Sequence, residues 1–122
     1  MTPATLVTGV TARSREAAIA DALGGFAADA RIGLILEGLP DASGALADVA
    51  DNPLRSVARI APGCPCCIGN LTMRVTLNRM LRHPPAHLFI SLATSAHLEQ
   101  VRQFLTDAPY DKHLTLLPDL AA

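Results

Sequence analysis

The chain has no tryptophan, one tyrosine and three phenylalanines among its 122 residues. Large rings therefore do not organise its interior, and the core must come from Leu, Ile, Val and Ala. An excess of charge is also missing. Ten Lys and Arg against eleven Asp and Glu leave a formal net charge of −1, which gives no electrostatic footprint for nucleic acid or an anionic membrane. No apolar run is long enough to span a bilayer. The start, Met1-Thr2-Pro3-Ala4-Thr5, has no basic stretch ahead of its apolar residues, so a secretory signal is not expected. Only three cysteines are present. In the cytoplasmic, reducing setting that follows, they are thiols, ligands or redox groups rather than a disulfide framework.

Half of the residues are hydrophobic and the mean hydropathy is +0.31, which excludes disorder. The length suits a single domain, residues 1–122. Nine prolines punctuate the chain, and all can be placed between elements. Ala4 to Val10 reads as a strand, and Ser14 as the cap of a helix whose face carries Ile19, Ala22, Leu23 and Phe26. Gly24-Gly25 weakens the end of that helix. Ile32 to Leu36 is a second strand, residues 41–52 a polar, alanine-rich connection, and Ser56 to Ile60 a third strand. A helix follows, with Met73, Leu77, Met80 and Leu81 on one side and Asn70, Arg74, Asn78 and Arg82 on the other. Leu88 to Leu92 suits a strand covered on both faces. Ser95 can cap a helix in which Leu98, Val101, Phe104 and Leu105 share a face, and His113 to Leu117 is a last strand. This alternation predicts a three-layer α/β fold with a mostly parallel sheet of about five strands. Functional loops of such sheets lie beyond the carboxyl ends of the strands.

All the cysteines fall in Gly63-Cys64-Pro65-Cys66-Cys67. They read either as three small buried hydrophobes or as a site for a soft metal or thiol redox chemistry. Thiolates suit Zn²⁺ and Cu⁺ better than harder ions. Cys67 precedes a helix, whose dipole favours a thiolate. Three thiolates leave a tetrahedral ion one ligand short. His83, His87, His97 and His113 are candidate donors, each also a plausible surface or core histidine. Glu37, at the end of the second strand, is either a solvated loop acid or a better-placed ligand. A disulfide between adjacent Cys66 and Cys67 would be strained, which leaves Cys64–Cys66 as the local redox pair.

A second stretch, Gly9-Val10-Thr11-Ala12-Arg13-Ser14-Arg15-Glu16, has the strand–loop–helix setting of a phosphate-binding G-x-x-x-x-G-K-[ST] loop. Its first glycine is present. Ser14 replaces the second glycine, Arg15 the lysine, and Glu16 the hydroxyl that would hold Mg²⁺. Read by itself, it is an ordinary strand-to-helix turn.

The run from Ile60 to Leu81, IAPGCPCCIGNLTMRVTLNRML, resembles the CobW family of metal-linked GTPases, which carries a Gly-Cys-x-Cys-Cys motif followed by a similar leucine-patterned helix. Leu6-Val7-Thr8-Gly9 is similar to that family's P-loop strand. Gly33-Leu34-Ile35-Leu36-Glu37-Gly38 is similar to its second strand, and Pro85-Ala86-His87-Leu88-Phe89-Ile90 to the strand carrying its Walker B acid. The resemblance implies a P-loop NTPase-like fold and a metal site at Cys64, Cys66 and Cys67, with Glu37 as a further candidate. The departures are equally specific. Ser91 lies where the metal-linked acid would be, no Asn-Lys-x-Asp motif appears, and the family's C-terminal domain is absent from this sequence. GTP hydrolysis, and GTP and Mg²⁺ as cofactors, are therefore not expected. The leading expectation is a pseudo-GTPase that binds Zn, Cu or another soft metal. The alternatives are a non-catalytic interaction or regulatory domain, pairing with a complete GTPase or a second copy of itself, and a thiol redox protein. Neither nucleic acid nor membrane is expected as a partner.

Overall fold

The computed structural model describes residues 2–27, 29–37, 53–60, 71–92, 98–107 and 109–122. Its elements run β1 (Thr2–Thr8), α1 (Ala12–Leu23), β2 (Ile32–Glu37), β3 (Arg55–Ile60), α2 (Leu71–Met80), β4 (His87–Ser91), α3 (Leu98–Thr106), a 3₁₀ turn (Tyr110–Lys112), β5 (Leu114–Leu116) and β6 (Leu120–Ala121). The strands form one sheet in the order β3-β2-β4-β1-β5, with β6 also paired to β1. Every pairing is parallel. The expected α/β architecture with a mostly parallel sheet is present, with six strands among the described residues. The connection at 41–52 and the cap at Ser95 lie outside the described residues. Among the described residues no helix is long and apolar enough to cross a membrane.

β2 and β4 are buried along their whole length, which is why they read as unbroken apolar runs rather than alternating ones. The pleat sends successive side chains to opposite faces. Ala4, Leu6, Ile35, Ile60, Leu88 and Ile90 join Met73 and Leu77 of α2 and Val101 and Leu105 of α3 in one cluster. Val7, Ile32, Leu34, Leu36 and Phe89 join Ile19 of α1 in the other. The two helix layers thus cover opposite faces. Met80 and Leu81 complete the α2 stripe as partly buried residues, while Arg74, Asn78 and Arg82 are exposed as expected.

Two details differ from the sequence reading. Pro3 lies inside β1 rather than before it. Thr2 N donates to His113 O (2.8 Å) and Leu117 N donates to Ala4 O (2.9 Å), so the residues flanking Pro3 aim their polar atoms at β5. The proline nitrogen faces the other side, where pairing with β4 begins only at Ala4, so no ladder donor is lost. The last strand is also shorter than expected, and the chain pairs again past Pro118 through β6, with Val7 opposite Leu120. Two residues between loop-like prolines and the end of the chain carry no periodicity from which to read a strand.

At the amino end of β4, His87 is buried among rings. Its centroid lies 4.5 Å from that of Phe89 and 5.2 Å from that of Phe26. Its Nε2 is 2.8 Å from Thr5 Oγ1. Desolvation holds its pKa below the ordinary histidine value. In the unfolded chain the imidazole takes its proton near pH 6.5, whereas the folded form resists it to lower pH. The contribution is therefore complete above about pH 6.5 and is lost as pH falls towards the folded value. Urea midpoints measured from pH 7.5 downward should fall through this window, and His87→Phe should flatten that part of the slope.

Candidate functional site

β1 ends at Thr8, and Gly9, Val10 and Thr11 turn the chain into α1. Thr11, not Ser14, is the N-cap, with extended backbone at φ −121° and ψ 153°. Its Oγ1 accepts from Ser14 N at 3.0 Å and Ser14 Oγ accepts from Thr11 N at 3.4 Å. This reciprocal pair leaves Ser14 serving the helix start. Moving the cap three residues earlier puts Arg15 on the fourth helical residue, where its side chain runs back beneath the turn.

The Arg15 guanidinium is the hub of the carboxyl edge. Nε donates to Ser91 Oγ (2.8 Å), Nη1 to Gly9 O (3.0 Å) and Nη2 to Glu37 O (2.9 Å). These acceptors belong to the last residue of β4, the turn after β1 and the last residue of β2. Arg15 is only 2 % exposed. Burial pulls its pKa down from the ordinary arginine value, and the charges of Glu37 and Glu16 oppose that pull. Arginine stays cationic throughout the accessible range. A Cβ added at Gly9 would stand 2.8 Å from Ala122 Cβ, 3.0 Å from Arg15 Cγ and 3.2 Å from Ser14 Oγ. The missing side chain is what lets Arg15 pass and the C-terminal segment close over the turn.

Glu16 turns the other way, to the edge strand. Arg59 Nη1 donates to its Oε2 (3.1 Å) and Nη2 to its Oε1 (3.0 Å), with the Glu16 side chain 4 % exposed. Sequence reasoning missed Arg59. The available signal was a cation inside the β3 run Arg55-Ser56-Val57-Ala58-Arg59-Ile60, on the same pleat face as Val57, which packs towards α1.

Glu37 is the last residue of β2 and is 1 % exposed, so it is not a solvated loop acid. Pleat alternation with Leu36 and Ile35 puts its side chain on the α2 face. Its register partner is Ile60, the last residue of β3. Cys64, Cys66 and Cys67 lie outside the described residues, in the segment 61–70 that joins β3 to α2. Four residues reach at most about 14 Å, so Cys64 stays within that distance of Ile60. Among the described residues, which contain none of the cysteines, no group of three His, Cys, Asp or Glu is gathered as a metal would require.

Three of the four candidate histidines stand at the amino edge of the sheet. His87 pairs with Ile32 at the amino end of β2, and Ser91 with Leu36 near the carboxyl end. Five strand steps separate the ends of β2, roughly 16 Å. His83 and His113 likewise precede β4 and β5. These three stand on the edge opposite the one from which the cysteine segment leaves. His97 lies outside the described residues.

Removing the guanidinium would strand acceptors from three strand ends in a dry site. Arg15→Ala is expected to cost about 2–4 kcal/mol in chemical denaturation. Arg15→Lys should recover little, because a single ammonium does not match three acceptors spread around a planar fork. Ser91→Ala should cost only about 1 kcal/mol.

No protein-family model, curated protein or solved structure matches this chain, so the functional reading rests on the geometry of the carboxyl edge.

Proposed function

We propose that this chain is a soft-metal-binding domain, a degenerate relative of CobW-type GTPase domains, that uses Cys64, Cys66 and Cys67 as ligands with Glu37 beside them. The observation that carries the reading is the position of Glu37. It is buried at the carboxyl end of β2, on the face covered by α2, and level with the residue from which the cysteine segment departs. The cysteine segment starts beside this carboxylate, and three soft sulfur donors with one carboxylate are a set suited to Zn²⁺ or Cu⁺ and unsuited to Mg²⁺.

GTP and Mg²⁺ do not fit the residues at the turn after β1. A phosphate loop needs open backbone amides and a hydroxyl for the metal. Here a guanidinium fills the space between the turn, Ser91 and Glu37, and Glu16 is committed to Arg59. The pairing of β4 with β1, which sets Ser91 against Val7, accords with the P-loop-like relation that the resemblance implies. In place of the acid that the resemblance calls for, a hydroxyl accepts from Arg15. The reading places the protein in a reducing compartment such as the cytoplasm, where the thiols stay available.

The closed phosphate position suits a second reading equally well, an interaction domain that binds neither nucleotide nor metal. Titration of the reduced protein separates the two. The expected outcome is one Zn²⁺ or Cu⁺ per chain, with affinity falling as pH drops because the ligands must be thiolates. Uptake should vanish in Cys64→Ser/Cys66→Ser/Cys67→Ser and weaken without vanishing in Glu37→Gln. Calorimetry with Mg²⁺-GTP should show no tight binding, and the protein should not hydrolyse GTP. Saturable uptake that persists unchanged in the triple serine variant sinks the metal reading and promotes the interaction domain.

A further inference from the structure

The opposite, amino edge of the sheet holds a cavity of about 330 Å³. It lies between β2 and β3 below and the C-terminal half of α2 above. The side chains facing α2 explain it. In the carboxyl half of the sheet this face carries Ile35 and Ile60, which are buried against α2. In the amino half the corresponding positions are Gly33, Ser56 and Ala58, all lining the cavity. A Cβ at Gly33 would come within 3.0 Å of Leu88 Cδ1 and 3.2 Å of Met80 Sδ. Gly33 thus lets Leu88 and Met80 close on the sheet beside the cavity, whose size falls at the lower end of small-molecule sites.

Among the described residues that line it, the charged side chains are Arg31 and Arg79, with His83 beside them, and none is acidic. Among the described residues none of these three side chains has an ion pair or hydrogen bond. Arg79 in the last turn of α2 suits the helix dipole. Arg31 precedes β2 and has no such role. Two guanidiniums from separate elements therefore converge on one opening, in a chain whose net charge is −1.

We propose that this cavity binds a small organic acid. Its oxyanion head meets Arg31, Arg79 and His83, and its short apolar body rests against Gly33, Ala58 and Met80. Guanidinium forks match carboxylate and phosphate oxygens in charge and spacing. Among the described lining residues the other polar side chains, Ser56 and Thr76, are uncharged, which suits a ligand with one anionic end. The site is built from residues outside the cysteine segment and does not depend on metal.

Amide chemical shifts of the full chain, titrated with benzoate, phenyl phosphate and benzyl alcohol, test the proposal. Both anions should give saturable shifts at Gly33, Ala58 and Thr76, and the one that binds tighter identifies the head group. Benzyl alcohol, of the same ring and no charge, should bind about tenfold or more weakly. Arg31→Gln/Arg79→Gln changes only exposed side chains, so it should fold normally and lose about tenfold in affinity for the anions. Ala58→Leu fills the cavity and should abolish binding, with Ser56→Leu as a second filler should the first unfold. The triple cysteine-to-serine variant should bind like the wild type. Equal affinity for benzyl alcohol, affinity unmoved by the double glutamine variant, shifts confined to the carboxyl edge, or no saturable shift with either anion would overturn it.

Discussion

One buried cation organises the carboxyl edge of this protein. Strands of a parallel sheet end with outward carbonyls and a turn that a ligand, water or side chain must satisfy. Here Arg15 does so for three strand ends at once, through Ser91, Gly9 and Glu37. The surrounding choices follow from it. Gly9 has no side chain because Arg15 Cγ and Ala122 occupy that space. Thr11 and Ser14 close the helix start one turn ahead of it. Glu16, the neighbour of Arg15, is drawn to Arg59 and fastens the edge strand to α1. A region that resembles a nucleotide cradle in outline is thereby a structural clamp in detail.

The pleat divides the molecule as firmly as the clamp fixes its edge. On the α1 face lie the Arg15 and Glu16 networks and, at the far end, His87 with Phe26 and Phe89. On the α2 face lie Glu37 at the carboxyl end and the small-residue floor at the amino end. The carboxyl edge thus carries the Arg15 network on one face and the buried Glu37 on the other.

Much of the architecture was legible because fully covered strands and amphipathic helices have strong patterns. The runs of β2 and β4, and the stripe Met73, Leu77, Met80 and Leu81, were readable to within a residue or two. Boundaries slipped where a local rule met a tertiary one. Pro3 looked like a strand breaker because sequence alone does not say which way its nitrogen faces. Ser14 looked like a cap because Thr11, three residues earlier, makes the same bond. β6 was invisible because two residues carry no period. At the candidate site, the importance of Arg15 and Glu16 was visible as a departure from a pattern, but their partners were not. Ser91 and Arg59 lie 76 and 43 residues away respectively, and such a distance is bridged only by the fold. The amino-edge position of His83, His87 and His113 was hidden for the same reason. Composition counts donors without saying at which end of a strand they stand.

The strand order has a consequence for how the molecule is made. β1 precedes every other described strand, yet its neighbours are β4, β5 and β6, the three that follow latest among them. Only β2 and β3 find each other within the first half of the chain. A ribosome-bound nascent chain that has emerged only through β3 therefore holds a buried-type apolar strand with no edge to join. Closure of the centre of the sheet waits for residues beyond 86, and the loop to be closed spans residues 9–86. Such non-local pairing slows folding and lengthens the interval in which β1 is exposed to foreign strands. A strand at the middle of the finished sheet is thus the one left longest without a partner during synthesis.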